Sequence, residues 1–241
     1  MPLPLPQRRY YDSLLAQFRL VQATMRCTPP LAAVGALGPS HLISFPPESR
    51  GAREQWEEHI RHMDPHPVQI ACMDAESVLE LVKFLKRKLG LLLRDADPQL
   101  RARLGAWIWA TLGKCRDQGE LSSEEVGELR ALAQRAANML SENDQGHTDQ
   151  DDAGADHGST TAEPYSPNEY AEISISLGHR KAITRAGPLD ATEGVHREAT
   201  KTTPDDRSDL LGMILEMIVT VVGELYGQRD LLELRPAWQK D

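Results

Sequence analysis

The sequence predicts an all-α protein: a single helical-bundle domain of five to six helices, interrupted by a long disordered acidic insertion. Apolar residues recur at helical spacing along most of the chain outside 141–207, and no strand-like alternation of useful length occurs there. The 241 residues are enough for one or two domains. The predicted helices involve about 150 ordered residues, which suffice for one core.

The helices are predicted from their apolar periodicity. They cover, in chain order, 8–26, 52–63, 75–89, 98–114, 122–140 and 209–226. The segment 27–51 is punctuated by Pro and Gly and is predicted to be a connection. The prolines of Asp64-Pro65-His66-Pro67 are expected to break the second helix, because proline removes a backbone donor.

Three helix starts carry capping signals. Asp74 precedes the third predicted helix, and Asp97 is followed by a proline at the first helical position. Ser122-x-x-Glu125 has the spacing of a capping box, in which each side chain bonds the backbone N–H of the other residue. Gly90 and Gly227 are predicted helix stops, because glycine adopts the left-handed conformation that ends many helices.

The segment 141–207 differs in composition from the rest. It contains 14 acidic and 6 basic residues, a net charge of −8, which leaves −1 of the total −9 to the other 174 residues. With few large apolar residues it is predicted to be disordered, although "YAEISISLG" at 170–178 alternates like a short strand or docking peptide. The predicted organisation is therefore 1–140 and 208–241 as one helical domain, separated by the insertion 141–207.

Composition excludes several functional classes. The N-terminal "MPLPLPQRRYYD" lacks the apolar core of a signal peptide, and no apolar stretch reaches the roughly 20 residues of a membrane span. Three cysteines without a CxxC pair fit a reducing compartment, so we expect a cytoplasmic and nuclear protein. Outside the insertion the chain is nearly neutral and its best basic cluster, "KFLKRK" at 83–88, is small, so direct nucleic-acid binding is not expected.

The last helix is apolar around most of its circumference, which requires cover on more than one side. A wide face that includes Ile214, Ile218 and Leu225 is expected to pack on the domain core, together with Leu104, Trp107 and Ile108 of the fourth predicted helix. A second strip contains two methionines, whose flexible thioether side chains suit a groove for a partner helix. That strip consists of Leu210, Met213, Met217 and Val221. The alternative is that both faces are internal core.

No catalytic motif is present in the sequence. His59, His62 and His66 with Asp64 form the one metal-like grouping, but Pro65 breaks the helix that would align His66, so exposed polar residues at a helix end are expected. The chain lacks nucleotide-binding, serine-hydrolase and zinc-protease motifs. Cys72 is predicted to be a buried thiol rather than a nucleophile. We therefore expect no enzyme, no cofactor and no metal.

Four segments resemble, in order and character, the gemin two family, whose members interact with the survival of motor neuron protein. They are "PVQIACMDAESVLELVKFL" at 67–85, "LGAWIWATL" at 104–112, "EVGELRALAQRAA" at 125–137 and "DLLGMILEMIVTVVGELYGQRDLLE" at 209–233. "LYGQRDL" resembles the family's aromatic-x-Q-R-D-L ending, and Leu-Gly-x-Trp at 104–107 its Trp-bearing helix.

The resemblance implies a binding protein that holds Sm core proteins during assembly of spliceosomal small nuclear ribonucleoproteins. It also implies a helical domain that binds an amphipathic helix of the survival of motor neuron protein. By this analogy Leu14 and Phe18 of the first helix are expected to form the opposite wall of the groove. Only about seven residues precede that helix, so the family's extended N-terminal arm is expected to be shortened, absent or lost through a wrong gene start.

Two hypotheses of function stay open on the sequence alone. One is the scaffold for ribonucleoprotein assembly. The other is a generic all-α adaptor that forms a homodimer through its apolar C-terminal helix. The scaffold is expected to be a monomer that co-purifies with Sm proteins, whereas the adaptor is expected to be a dimer on its own.

Overall fold

The computed structural model describes residues 4–47, 49–94, 97–148 and 204–236, and these segments are helical with short connections. The all-α fold class is confirmed, and no strand occurs in the described segments. The α-helices are α1 (Leu5–Arg26), α2 (Leu31–Gly35), α3 (Arg50–His62), α4 (Pro67–Cys72), α5 (Ala75–Arg94), α6 (Pro98–Lys114), α7 (Ser123–Thr148) and α8 (Pro204–Leu225). A C-terminal 3₁₀ helix, Arg229–Leu234, follows α8.

The predicted helix starts are confirmed by hydrogen bonds. Asp74 Oδ1 accepts from the Ser77 N–H at 2.7 Å, and Asp97 Oδ1 accepts from the Leu100 N–H at 2.8 Å. The capping box at α7 is complete. The Ser122 hydroxyl accepts from the Glu125 N–H at 3.2 Å, and Glu125 Oε2 accepts from the Ser122 N–H at 2.8 Å. These caps satisfy donors that the first helical turn leaves without partners.

One predicted helix stop is wrong and the other is confirmed. α5 does not end at Gly90 but continues to Arg94. Leu89 and Leu93 on either side of the glycine are buried, and their packing outweighs the roughly 1 kcal/mol that glycine costs inside a helix. Gly227, in contrast, has a φ of +76° directly after α8, where the chain turns back.

α1 and α3 begin at Leu5 and Arg50, earlier than the predicted residues 8 and 52. Short helices account for further differences from the prediction. α2 lies within the predicted connection 27–51, while α4 and the 3₁₀ helix follow segments where the sequence showed breaks. Each has five or six residues, too few for an apolar periodicity to be recognised. The number of longer helices agrees with the predicted five to six.

The longer helices surround one core. α5 and α7 run in the same direction: Lys83 pairs with Glu124, and further along both helices Gly90 lies beside Arg135. α1 runs parallel to α6, and α8 also packs on α6 and α7. Of the predicted core residues, Leu104, Trp107, Ile108, Ile214 and Ile218 are buried, while Leu225 is half-buried at the edge of the core.

The insertion predicted at 141–207 is shorter at both ends. α7 extends to Thr148 and α8 begins at Pro204, so residues 141–148 and 204–207 are helical. The rest of the insertion, including "YAEISISLG" at 170–178, lies outside the described residues. α7 and α8 pack on each other, so the two parts of the chain that flank the insertion belong to one helical unit.

Candidate functional site

Among the side chains of α8 that the structure describes, the exposed apolar one lies near their start, within residues 210–213. Met213 is 38% exposed, and Leu210 and Leu211 are half-buried. Between them, Gly212 faces open space, since a Cβ built there would meet nothing within 4 Å. Ile214 turns away from this surface and contacts Gly105 of α6. A partner could therefore approach the α8 backbone closely at Gly212 and cover Met213.

The remaining residues of the predicted groove lie inside the domain. Met217 is 7% exposed and Val221 is fully buried, so they do not line an open groove. The strip formed by Leu210, Met213, Met217 and Val221 begins at the surface and enters the core. The cause is that the second half of α8 is surrounded, because α6, α7 and the 3₁₀ helix all pack on it.

The first helix supplies core rather than an open wall. Leu14 is 7% exposed and Phe18 is fully buried. The Phe18 ring stands edge-on to Trp109, with ring centroids 5.0 Å apart and planes at 90°. Trp109 is half-buried and packs against the core. An edge-to-face pair of this kind adds about 0.5–1.5 kcal/mol beyond the burial of its area.

Thr220 and Gly223 in the second half of α8 are covered by the end of the described chain. A Cβ at Gly223 would lie 2.3 Å from Leu232 Cδ2, so the 3₁₀ helix rests directly on the α8 backbone there. One turn earlier, the Thr220 hydroxyl accepts a hydrogen bond of 3.1 Å from Arg235 Nη1. The Arg235 guanidinium also lies 4.1 Å from the ring centre of Tyr11, in a cation–π contact. Residues 229–236 thus fill the space between α8 and α1.

Two further hydrogen bonds join α1 to this region. Tyr11 donates its hydroxyl to Glu216 Oε2 at 3.3 Å, and Gln7 Nε2 donates to the Pro236 carbonyl at 2.8 Å. Burial, followed by the charge of Glu216, raises the pKa of Tyr11 to about 12, so its phenol stays protonated and remains a donor. These contacts were not predicted from the sequence. The one signal for them is that Glu216, Thr220 and Gly223 interrupt the apolar surface of α8.

The histidines do not behave alike. His62 is exposed and pairs with Glu58, as expected for a polar helix end, but His59 is 7% exposed. Its Nε2 lies 2.8 Å from Gln69 Nε2, which also donates to the Leu42 carbonyl at 2.7 Å. Burial lowers the pKa of His59, which therefore accepts the Gln69 hydrogen bond as a neutral ring. Within the described segments no three His, Cys, Asp or Glu side chains are placed to hold a metal ion.

The basic cluster of α5 is engaged by acidic side chains of neighbouring helices. Lys83 Nζ lies 2.7 Å from Glu124 Oε1, and Lys86 pairs with Glu128 of the same helix α7. Lys88 Nζ lies 2.8 Å from Glu57 Oε2 of α3. These pairs compensate the charges of three of the four cations in this cluster, which weakens its attraction for phosphates. No described helix is long and apolar enough to cross a membrane.

The cysteines differ in exposure. Cys27 is exposed, Cys72 is half-buried rather than buried as predicted, and Cys115 is buried. Burial raises the pKa of the Cys115 thiol to about 12, so the reactive thiolate is scarce at neutral pH. The Cys115 thiol is therefore a packing group at the end of α6.

Comparison with known proteins adds one match. The family model described as survival motor neuron (SMN) interacting protein 1 matches residues 2–229, which is most of the chain. No curated protein and no solved structure matches the chain.

Proposed function

This chain belongs to the survival motor neuron (SMN) interacting protein 1 family, and we propose that it is a non-enzymatic assembly factor of the SMN complex. In this role it holds Sm core proteins while spliceosomal small nuclear ribonucleoproteins are assembled, in the cytoplasm and nucleus. The observation that carries the proposal is the family match over residues 2–229. The pairing of three cations in the basic cluster of α5 supports a role through protein partners rather than direct nucleic-acid binding.

The proposed docking surface for the SMN protein consists of residues 210–213 of α8. Its occupant is an amphipathic helix of that protein, with its apolar side over Met213 and the half-buried Leu210 and Leu211. Gly212 lets the two helix backbones approach, because no atom fills the space where its side chain would be. Met213 supplies an adaptable apolar contact, which suits recognition of a helix in a shallow surface.

Isothermal titration calorimetry with a peptide of the SMN amphipathic helix tests this proposal. Met213→Asp should weaken binding at least tenfold, about 1.4 kcal/mol, because a carboxylate would be buried beneath the peptide. Since Met213 is 38% exposed, the circular dichroism and melting temperature of the free variant should change little. Leu91→Asp is the matched control: Leu91 is 63% exposed on α5, and its replacement should leave affinity unchanged.

Two outcomes count against the proposal. If the wild-type chain does not bind the SMN peptide, the chain does not use this partner. If folded Met213→Asp binds as tightly as wild type, the peptide docks on another surface. The Sm-protein part is tested separately, by mass spectrometry of the proteins that co-purify with the tagged full chain, and it fails if Sm core proteins are not among them.

A further inference from the structure

A second surface feature lies at the C-terminal end of α6. A cavity of about 290 Å³ is bounded by the last residue of α1, the first turns of α5 and α7, and the end of α6. Lys114 lines this cavity, whereas Gly105, nine residues earlier on α6, contacts α8. A helix rises 1.5 Å per residue, so Lys114 lies about 14 Å along α6 from the contact between Gly105 and α8. The two features are separate.

The interior of the cavity is apolar. Met73, Val78, Val82 and Leu129 line it and are buried, while Leu121 is a half-buried part of its wall. Its volume is at the lower limit of small-molecule pockets, which begin at about 300 Å³. The space therefore suits one or two aliphatic groups rather than a nucleotide or an extended helix.

Three cationic side chains line the cavity, and two of them have carboxylate partners. Arg26 Nη1 donates to Asp117 Oδ1 at 2.7 Å, and Arg116 Nη2 donates to Glu125 Oε2 at 2.5 Å. The third, Lys114, donates to the neutral carbonyl of Ala71 at 2.8 Å and forms no ion pair with a carboxylate of the described residues. Lys114 is thus the cation of this group whose charge is available to an incoming anion.

The surroundings of Lys114 favour such an anion. Burial lowers the pKa of Lys114. The nearby Cys72 raises this pKa, and the like charge of Arg26 lowers it. An ammonium that is partly removed from water beside a second cation is stabilised by a carboxylate. In addition, the Nε–H of Arg26 is buried and has no acceptor among the described residues.

We propose that this cavity binds a partner peptide in which an aliphatic side chain lies next to a carboxylate. The aliphatic group packs against Val78 and Val82, and the carboxylate pairs with the Lys114 ammonium. A polyanion such as RNA is disfavoured, because two of the three lining cations already have carboxylate partners and only Lys114 is left for an incoming anion. An apolar peptide without a carboxylate would leave the Lys114 charge without compensation.

Methyl NMR of the full chain, with acetyl-Leu-Asp-amide and acetyl-Leu-Asn-amide as probes, tests the proposal. The two probes have the same shape and differ in the carboxylate. The Asp probe should cause saturable shifts of the Val78, Val82 and Leu121 methyl groups, with at least fivefold higher affinity than the Asn probe. Lys114→Met should reduce the affinity for the Asp probe at least fivefold. Lys88→Met, whose native ammonium pairs with Glu57 on another face, is the control and should leave the affinity unchanged.

A second variant tests the proposal if Lys114→Met does not fold. Leu79, a half-buried residue of the cavity wall, can be replaced by Trp to fill the space, which should abolish the shifts of the other lining methyl groups. Equal affinity for both probes, absence of saturable shifts, or unchanged binding in the folded Lys114→Met and Leu79→Trp variants would each overturn the proposal. Neither probe contains the SMN helix, so this proposal and the SMN proposal can fail independently.

Discussion

Two glycines of α8 should respond differently to the same substitution. A Cβ at Gly212 would meet nothing within 4 Å, whereas a Cβ at Gly223 would lie 2.3 Å from Leu232 Cδ2 and 2.7 Å from its Cγ. Both glycines lie inside one helix, so the gain in helix propensity from alanine is about the same at each position. The difference between Gly212→Ala and Gly223→Ala therefore reports whether the 3₁₀ helix packs on α8.

The expected magnitudes follow from these surroundings. Alanine in place of a helical glycine stabilises by about 0.5–1 kcal/mol, and Gly212→Ala should show this gain. At Gly223 the same gain is opposed by overlap with Leu232, since inserting a methyl group into a packed site costs about 1–3 kcal/mol. Gly223→Ala should then be neutral or destabilise by about 2 kcal/mol. A change of 1 kcal/mol in the free energy of unfolding shifts the melting temperature of a domain of this size by about 2–4 °C, so the melting temperatures of the two variants should differ by several degrees.

Urea and thermal unfolding followed by circular dichroism measure both variants, and a double-mutant cycle assigns the cause. In a Leu232→Ala background the overlapping methyl groups are gone, so Gly223→Ala should regain a stabilisation of about 0.5–1 kcal/mol. If Gly223→Ala stabilises the otherwise unchanged chain as much as Gly212→Ala does, residues 229–236 do not cover α8 and the explanation given for its polar side is wrong.

Three other perturbations have expected outcomes. Gly227→Ala places a Cβ on a residue with a φ of +76° and 2.1 Å from Gln118 Nε2. It should therefore lower the free energy of unfolding, measured by urea titration, by at least about 1 kcal/mol. An unchanged urea midpoint would contradict the left-handed conformation of residue 227. Burial lowers the pKa of His59 in the folded chain, so on acidification the unfolded chain binds a proton at this histidine first. The contribution of His59 to stability is therefore present above about pH 6.5 and is lost as the pH falls. The melting temperature of His59→Gln should therefore fall less than that of the wild type between pH 7 and pH 5. An equally large fall in the variant would assign the pH dependence to other groups. Replacing 149–203 with a short Gly/Ser linker should change the melting temperature by less than about 5 °C, and a larger drop would show that part of this acidic segment packs.

Features that depend on neighbouring residues in the sequence were predictable. The caps at Asp74, Asp97 and Ser122 involve partners three residues away, so their residue types and spacing contain the necessary information. Helix α6 has the predicted bounds, 98–114, because Pro98 fixes its start and Trp107 and Ile108 continue its apolar face. Gly227 was recognisable as a stop for the same local reason.

Features that depend on distant contacts were not predictable. The hydrogen bond of Gln7 to the Pro236 carbonyl joins the two ends of the described chain, and no local pattern contains it. The burial of Met217 is also a long-range effect, because α6, α7 and the 3₁₀ helix pack on the second half of α8. Periodicity places Met217 in line with Met213 but cannot show where the surface ends. Met217→Asp and Ile218→Asp should therefore each cost about 3 kcal/mol or more, since both residues are buried.

The histidines illustrate the same limit. His59 and His62 are three residues apart on α3, yet one is buried against Gln69 and the other pairs with Glu58 in solvent. Sequence spacing could place both on a helix but could not show that α4 packs a glutamine amide against one of them. The burial of His59 is a tertiary effect, and it is the origin of the pH dependence predicted above.

The central claim, that this chain is a monomeric scaffold for the SMN protein, is tested most directly by native mass spectrometry of the full chain. The account predicts a single species of 26.8 kDa for the chain alone and a one-to-one complex when the SMN protein is added. It also predicts that Met213→Asp remains a monomer and loses the complex. A stable homodimer of the free chain that does not exchange for the SMN protein would contradict the account and favour the adaptor that dimerises through α8.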